Sequence, residues 1–348
     1  PLKKVTENIS VLELFHGPTL AFKDVGARFM SRCLGYFLKN ETRKVTVLVA
    51  TSGDTGGAVA NGFYDVEGIE VVILYPKNRV SPVQEKQLTA LGKNIHALEV
   101  NGSFDDCQAL VKQAFSDESL NEKLLLTSAN SINVARWLPQ QIYYVLALKQ
   151  WLKNNSENPV ICVPSGNFGN ICAGILAHHR GLPVEHFIAA CNVNDVVPEY
   201  LRTEILKPKE TVATISNAMD VGDPSNFVRI LELFEKEFNQ VKSKLSGYTI
   251  DDEETLKTIE RVEKDYGYVL DPHGAVAFVA LEKYLAENGG KGFFLETAHP
   301  VKFPDSVEKA TGKSVEIPKS LEELMRQEKF TTEINPQYEE LKEFLLKK

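Results

Sequence analysis

The chain alternates short runs that are apolar at nearly every position with polar turns and amphipathic stretches. "KVTVLVA" (44–50) is rich in β-branched residues and ends in the turn "TSGDTGG" (51–57). A helical stretch with Ala58, Val59 and Phe63 follows, and then a second apolar run, "IEVVILYP" (69–76). A strand apolar on both faces belongs to a sheet covered on both sides, and two such strands joined through a helix form a parallel βαβ unit. The rhythm continues with a helix near Ser81–Leu91, a strand "NIHALEV" (94–100), a helix near Phe104–Phe115, "LLLTSAN" (124–130) and a long helix from about Val134 to Leu152.

"NPVICVPSGNFGN" (158–170) opens a second series. Its strand meets a Gly-rich turn, and a helix runs to about Arg180 with Gly181 as its stop. "VEHFIAACNV" (184–193) is another strand. Residues 194–268 turn charged and helical, "DPHGAVAFVALEKYLAENGG" (271–290) is an amphipathic helix, and "KGFFLETAHP" (291–300) is a late strand running into a polar turn. There is no internal repeat and no low-complexity tract. The alternation predicts a doubly wound α/β architecture. A smaller α/β domain is expected over 41–150. A larger one is expected from 1–40 plus 151–348, with a helical insertion near 195–268.

Composition narrows the function classes. The 348 residues are 43% hydrophobic and 25% charged, as in a folded globular protein. No run of 18 apolar residues appears, so no membrane partner is expected. The start, "PLKKVTENIS", lacks an apolar core of signal-peptide length and an initiator Met. A net charge of −8 argues against nucleic-acid binding. Cys33, Cys107, Cys162, Cys172 and Cys191 are scattered, form no CxxC pair, and read as reduced core residues of a cytoplasmic protein. His96, His178, His179 and His186 show no metal-binding spacing, so no metal is assigned. Nothing here sets an oligomeric state.

In open α/β sheets, ligands bind beyond the carboxyl ends of the strands. Three polar turns sit at such ends: "TSGDTGG", "PSGNFGN" (164–170) and "ETAHP" (296–300). Gly166 and Gly169 let consecutive N–H groups of the second turn point inward, and the following helix adds free N–H groups and its positive dipole end. That is a cup for a phosphate, or else a Gly-rich turn without a ligand. No GxxxxGK[ST] or GxGxxG pattern occurs. The first turn adds the hydroxyls of Thr51, Ser52 and Thr55, although Asp54 or Thr55 could simply cap the next helix. Asn130, Asn133 and Arg136 recur at three-residue spacing, one face of a helix, where they could clamp an anion or form a solvated face. Thr297 and His299 are polar groups of the third turn. Asp24 and Arg28, at i,i+4, read as a structural pair.

Lys23 stands apart. It follows Leu20, Ala21 and Phe22 just after a Gly-Pro turn, where a lysine is unusually dry. An apolar setting favours the neutral amine, which can attack an aldehyde. Pyridoxal 5'-phosphate would bring that aldehyde if "SGNFGN" held its phosphate.

"HGPTLAFKD", "ATSGDTGGA", "NSIN", "PSGNFGN", "SNAMDVGDPSN" and "TAHP", in this order across nearly the whole chain, resemble the bacterial and fungal-type threonine synthases. That family belongs to the tryptophan-synthase-β-like, fold type II pyridoxal-phosphate (PLP) enzymes. The resemblance implies two doubly wound parallel-sheet domains with the cofactor between them. It implies conversion of O-phospho-L-homoserine and water to L-threonine and phosphate by γ-elimination and β-addition of water. It makes Lys23 the Schiff-base lysine. Gly166, Asn167, Phe168, Gly169 and Asn170 become the cofactor-phosphate cup, and Thr297 the partner of the pyridine nitrogen. Ser52, Gly53 and Thr55 fall at the substrate carboxylate, Asp54 on the side of the cofactor's 3′-oxygen, and Asn130 and Arg136 at the substrate phosphate. Members of the family usually carry a longer segment before "LELFHGPT", which the resemblance implies is missing here. Two other outcomes remain open from the residues. One is the same scaffold with another outcome, a phospho-lyase giving 2-ketobutyrate or a hydroxy-amino-acid dehydratase; the other is a non-catalytic α/β protein binding phosphorylated metabolites.

Overall fold

A computed structural model of the chain describes residues 1–39 and 43–347. Its first strands are β1 (Leu2–Lys4), β2 (Ile9–Glu13), β3 (Val45–Ala50), β4 (Ile69–Pro76), β5 (Ile95–Val100) and β6 (Leu125–Ser128). They are followed by β7 (Val160–Pro164), β8 (His186–Cys191), β9 (Leu245–Thr249), β10 (Gly292–Glu296) and β11 (Thr331–Ile334). The chain divides into two units. One comprises Pro1–Phe22 and Trp137–Glu316, the other Lys23–Arg136 and Ile317–Lys348.

The unit of Lys23–Arg136 and Ile317–Lys348 has a five-stranded sheet in the order β11-β5-β4-β3-β6, parallel throughout. Side chains alternate across it. Val47, Val49, Val71 and Ile73 join a core with Met30, Val59 and Phe63 from helices Lys23–Phe37 and Asp54–Phe63. Leu48, Ala50, Val72 and Leu74 join a second core with Leu110 of Phe104–Ser116 and Leu341 of Tyr338–Leu346. Both faces are covered, which is why these strands show no polar alternation.

The other unit has a six-stranded sheet in the order β1-β2-β10-β7-β8-β9, with only β1 antiparallel to its neighbour. Ile161, Val163, Phe187, Phe293 and Leu295 pack into one core, together with residues of helices Gln141–Trp151 and Gly169–His179. Val160, Cys162, Ile188, Ala190 and Phe294 pack into the other, under helices Asp252–Tyr266 and Pro272–Asn288. Phe293 is fully buried; removing such a side chain from water contributes roughly 2–3 kcal/mol.

The parallel α/β expectation is met by both sheets, with differences in detail. The expected helix 134–152 breaks into Val134–Trp137, a 3-10 turn Leu138–Gln140, and Gln141–Trp151. Pro139 lacks the N–H that a continuous helix would use there. The charged stretch 195–268 contains β9, which pairs with β8, and the first residues supply β1 and β2. The division drawn from the sequence placed limits at 41 and 150; the first lies outside the described residues. In the structure, helix Lys23–Phe37 packs on helix Asp54–Phe63, and β11 pairs with β5, so that both segments fall in the unit built on β3–β6. Cys107, Cys162, Cys172 and Cys191 are buried and Cys33 half-buried, none in a disulfide. Among the described residues no helix is long and apolar enough to cross a membrane.

Candidate active site

Within the six-stranded unit, β7 and β10 are adjacent and parallel, so their carboxyl ends lie side by side. β7 ends at Pro164, and residues 165–168 lead into helix Gly169–His179. Phe168 takes the left-handed conformation (φ 61°) at the helix start, with no side-chain cap there. The first-turn N–H groups, which have no intrahelical partner, therefore remain for a ligand. The Phe168 ring is buried against Phe227, centroids 5.5 Å apart, so this residue presents backbone to the turn.

The turn is braced from behind. A Cβ on Gly166 would lie 2.5 Å from Met219 Cα, a space only glycine leaves to the 216–220 segment. Asn167 Oδ1 accepts hydrogen bonds from Ser225 N (2.7 Å) and Ser225 Oγ (2.8 Å), and Asn226 Nδ2 donates to Asn167 O (2.9 Å). These contacts give the "SNAMDVGDPSN" stretch a structural role that its composition alone does not reveal. Asn170 Oδ1 accepts from Tyr143 (2.5 Å) and Tyr144 (2.7 Å). Burial holds both phenols well above their ordinary value, so they stay donors. The amide is thereby turned so that Asn170 Nδ2 is buried without a partner. An unpartnered buried donor beside a helix N-terminus fits an anionic group such as a phosphate.

Thr297 follows β10 and is buried. Its carbonyl accepts from Phe22 N (2.8 Å), Ala21 bridges Ala298, and His299 N donates to Leu20 O (3.0 Å). Lys23 is the next residue after Phe22, half-buried, and begins helix Lys23–Phe37. Sequence reasoning overlooked Lys302. It is fully buried and its Nζ donates to Thr19 O (2.9 Å), bracing the loop that leads into Lys23. A lysine two residues after a Pro is an ordinary sequence feature, and nothing local distinguishes it.

In the five-stranded unit, Thr51 Oγ1 accepts from Gly53 N and Gly56 N, both at 2.9 Å. Thr51, rather than Asp54 or Thr55, thus holds the start of helix Asp54–Phe63. Asp54 is buried and its Oδ1 accepts from Gln84 Nε2 (2.9 Å), a residue locked in the capping box of Ser81. Ser52 and Thr55 are half-buried and Gly53 is buried.

Residues 130–133 form turns, and helix begins only at Val134, which corrects the one-face reading of Asn130, Asn133 and Arg136. Asn133 bonds to local backbone instead of continuing a helix, and Asn130 bonds to the end of β3. Asn130 Nδ2 donates to Ala50 O (3.0 Å), Asn133 Nδ2 to Ser128 O (3.1 Å), and Asn133 Oδ1 accepts from Ala135 N (3.1 Å). Arg136 is buried and its Nη1 donates to Ala129 O. Burial pushes its guanidinium down to about 10, while the Asp24 carboxylate favours the charged form. Asp24 is buried and Arg28 exposed, so the cation that faces Asp24 from the core is Arg136, not Arg28.

A strand-end glycine turn with an uncapped helix start and an unpartnered buried amide, next to the buried Thr297 and with a lysine just along the chain, fits a PLP enzyme of fold type II. The sequence model of the pyridoxal-phosphate dependent enzyme family matches residues 3–293, and the chain belongs to that family. The model of the threonine synthase C-terminal region matches 274–345. The threonine synthase of Escherichia coli (strain K12) is 50% identical over 323 residues, covering 93% of this chain and 74% of its own length. A crystal structure of threonine synthase from Escherichia coli has a TM-score of 0.92 at 47% identity, over 100% of this chain and 80% of that one. That of PLP-bound threonine synthase from Brucella melitensis has a TM-score of 0.91 at 37% identity, over 99% and 79%. Within the PLP enzymes, the chain is a member of the threonine synthases, and PLP is its cofactor.

Proposed function

We propose that the protein converts O-phospho-L-homoserine and water to L-threonine and phosphate. The observation that carries this reading is the braced turn 165–170 with the unpartnered Asn170 amide, at a strand end beside Thr297. Bound there, PLP supplies a conjugated system that takes up electron density when the substrate Cα–H bond breaks. Gly166, Asn167, Phe168, Gly169 and Asn170 hold its phosphate through backbone N–H groups and the Asn170 amide. Thr297 gives a hydroxyl to the ring nitrogen. Ser52, Gly53 and Thr55 hold the substrate carboxylate, and Asp54, fixed by Gln84, lies on the side of the 3′-oxygen.

Lys23 moves protons: it takes them from Cα and then Cβ, and a proton returns at Cγ after phosphate has left. The OH of water adds at Cβ, Lys23 returns a proton to Cα, and the remaining proton of the water balances the released phosphate, which completes threonine. Arg136 and Asn130 bind the departing phosphate, where a fixed cation offsets the charge that develops. Reduction with borohydride followed by peptide sequencing tests the assignment of Lys23, because the cofactor then stays on one lysine. A label on any other lysine would sink it. Product analysis separates the synthase from a phospho-lyase, which would release 2-ketobutyrate.

Two substitutions probe the cofactor contacts. Gly166→Ala sets a methyl group against Met219 Cα at 2.5 Å, so the turn or its brace must shift. We expect PLP affinity to fall at least about tenfold, read by absorbance titration of the apoprotein. An unchanged dissociation constant would separate residues 165–170 from the phosphate. Thr297→Asp replaces a neutral donor with an acid and favours a protonated ring. The cofactor spectrum and the ratio of threonine to abortive products should both change; if neither does, Thr297 is not the ring partner.

A further inference from the structure

Behind the strand end that carries Thr297 lies a group of buried carboxyls. Glu296, the last residue of β10, and Asp271, the N-cap of helix Pro272–Asn288, are both fully buried. Asp271 N donates to Glu296 Oε1 (2.7 Å), which ties the two acidic residues together. Glu296 Oε2 and Asp271 Oδ2 are each buried without a hydrogen-bond partner. Two ionised carboxylates offer only acceptors, so neither orphaned oxygen can satisfy the other unless one of them carries a proton. Asp271 Oδ1 accepts from His273 N (2.8 Å) and stands 2.6 Å from His273 Nδ1. On the far side, His273 Nε2 accepts from Ala218 N (3.2 Å). That bond requires a bare Nε2, so the imidazole is neutral with its proton on Nδ1, aimed at Asp271.

We propose that Glu296 and Asp271 share one proton, held on Glu296, and that this pair acts through His273 to fix the 216–220 segment behind Gly166 relative to the Thr297 strand end. Glu296 is then a positioning residue of the PLP site. The inference rests on the reading of residues 165–170 and Thr297 as that site. Donor count assigns the proton: Asp271 receives two N–H donors, Glu296 one. Burial, then the neighbouring Asp271 carboxyl, pushes Glu296 well above the usual carboxylate range, in keeping with that assignment. A Cβ on Gly274 would lie 1.7 Å from Glu296 Oε2, so the first turn of the helix is open at the point where the acid enters.

Glu13, the register partner of Glu296 on β2, takes the opposite state. Burial raises it, but Lys3 (2.9 Å), His16 (2.8 Å) and Tyr268 (3.1 Å) together hold it below the ordinary value. Other ionisable groups face the pair among the described residues: Tyr268 stands near both acids, His299 near Asp271 with Lys302 beyond it, and Asp220 of the braced segment near His273. Two acids on neighbouring strands are therefore sorted by their donors, one ionised and one neutral. The neutral one faces the helix whose first turn reaches the cofactor brace.

The test uses the whole protein, with and without PLP. Infrared difference spectra between the unmodified protein and Glu296→Gln at neutral pH should show the carbonyl band of a protonated acid, lost in the variant. Gln keeps an N–H donor toward Asp271 Oδ2 and an acceptor for Asp271 N, so its PLP dissociation constant should stay within about twofold of the parent. Glu296→Ala leaves Asp271 Oδ2 without a donor and should weaken PLP binding about tenfold. Absence of the band, or a Gln variant as impaired as the Ala variant, overturns the proposal. If Glu296→Ala does not fold, the band and the Gln variant decide alone. Gly166→Ala serves as the control for the underlying reading. A loss of affinity there with none in Glu296→Ala sinks only the carboxyl pair, whereas no loss in either sinks the site.

Discussion

Lys23→Ala is expected to fold, to bind PLP without a covalent bond, and to lose turnover by at least about a thousandfold, the scale of removing a group that transfers protons at more than one step. Folding should survive because Lys23 is only half-buried at the first position of its helix, where alanine is well tolerated. Binding should survive in part because residues 165–170 and Thr297 are untouched. The position of the chain at this point is held by Phe22 N on Thr297 O and by Lys302 on Thr19 O, neither of which involves the Lys23 side chain. Covalent attachment and proton transfer vanish together, so a small added amine should not restore both. A mutant that still gave a borohydride-stable adduct at another lysine would show the assignment to be wrong.

Arg136→Gln should lower kcat/KM for O-phospho-L-homoserine by on the order of 3 kcal/mol, the loss of a charged partner for a phosphate. The structure adds a second consequence. Arg136 is a buried cation whose charge is favoured by Asp24, itself buried, so removing it takes away a favourable buried charge interaction and should also lower the midpoint of unfolding. Arg136→Lys separates the two effects. It keeps a charge for Asp24 but not the planar fork that matches phosphate oxygens, so stability should recover further than activity. PLP affinity should be unchanged in both variants, since residues 165–170 lie elsewhere in the chain. Full activity in Arg136→Gln together with a lowered melting temperature would make Arg136 a partner of Asp24 and nothing more.

Much of the fold and the family was legible in the residues themselves. The apolar runs at 44–50, 69–76 and 158–164 announce buried parallel strands because a sheet covered on both faces tolerates no polar alternation. Their following turns had to be the places where polar groups and glycines gather, since ligands bind at such ends. What was misread follows from the same locality. Asn130 and Asn133 have helical spacing, yet the Asn133 amide bonds local backbone and holds a turn, while the Asn130 amide reaches across to Ala50 O at the end of β3. Asp24 and Arg28 have the spacing of an ion pair, yet only Asp24 faces inward. β1 and β11 are three and four residues long with mostly exposed side chains, too short and too polar to signal a strand.

The sequence by itself determined the element types, the parallel sheets, the kinds of side chain at each strand end and, through its ordered motifs, the family. Periodicity and turn chemistry act over a few residues, so they can be read along one line. Only the tertiary structure decided which strand ends adjoin. It paired β10 with β7, set Ser225 and Asn226 behind Asn167, turned Asn170 with Tyr143 and Tyr144, and brought Glu296 against Asp271. Each of these joins residues distant in sequence, and a buried polar group shows no sign along the chain of the partner that will satisfy it. Burial makes that partner obligatory, and strand register and helix packing choose it.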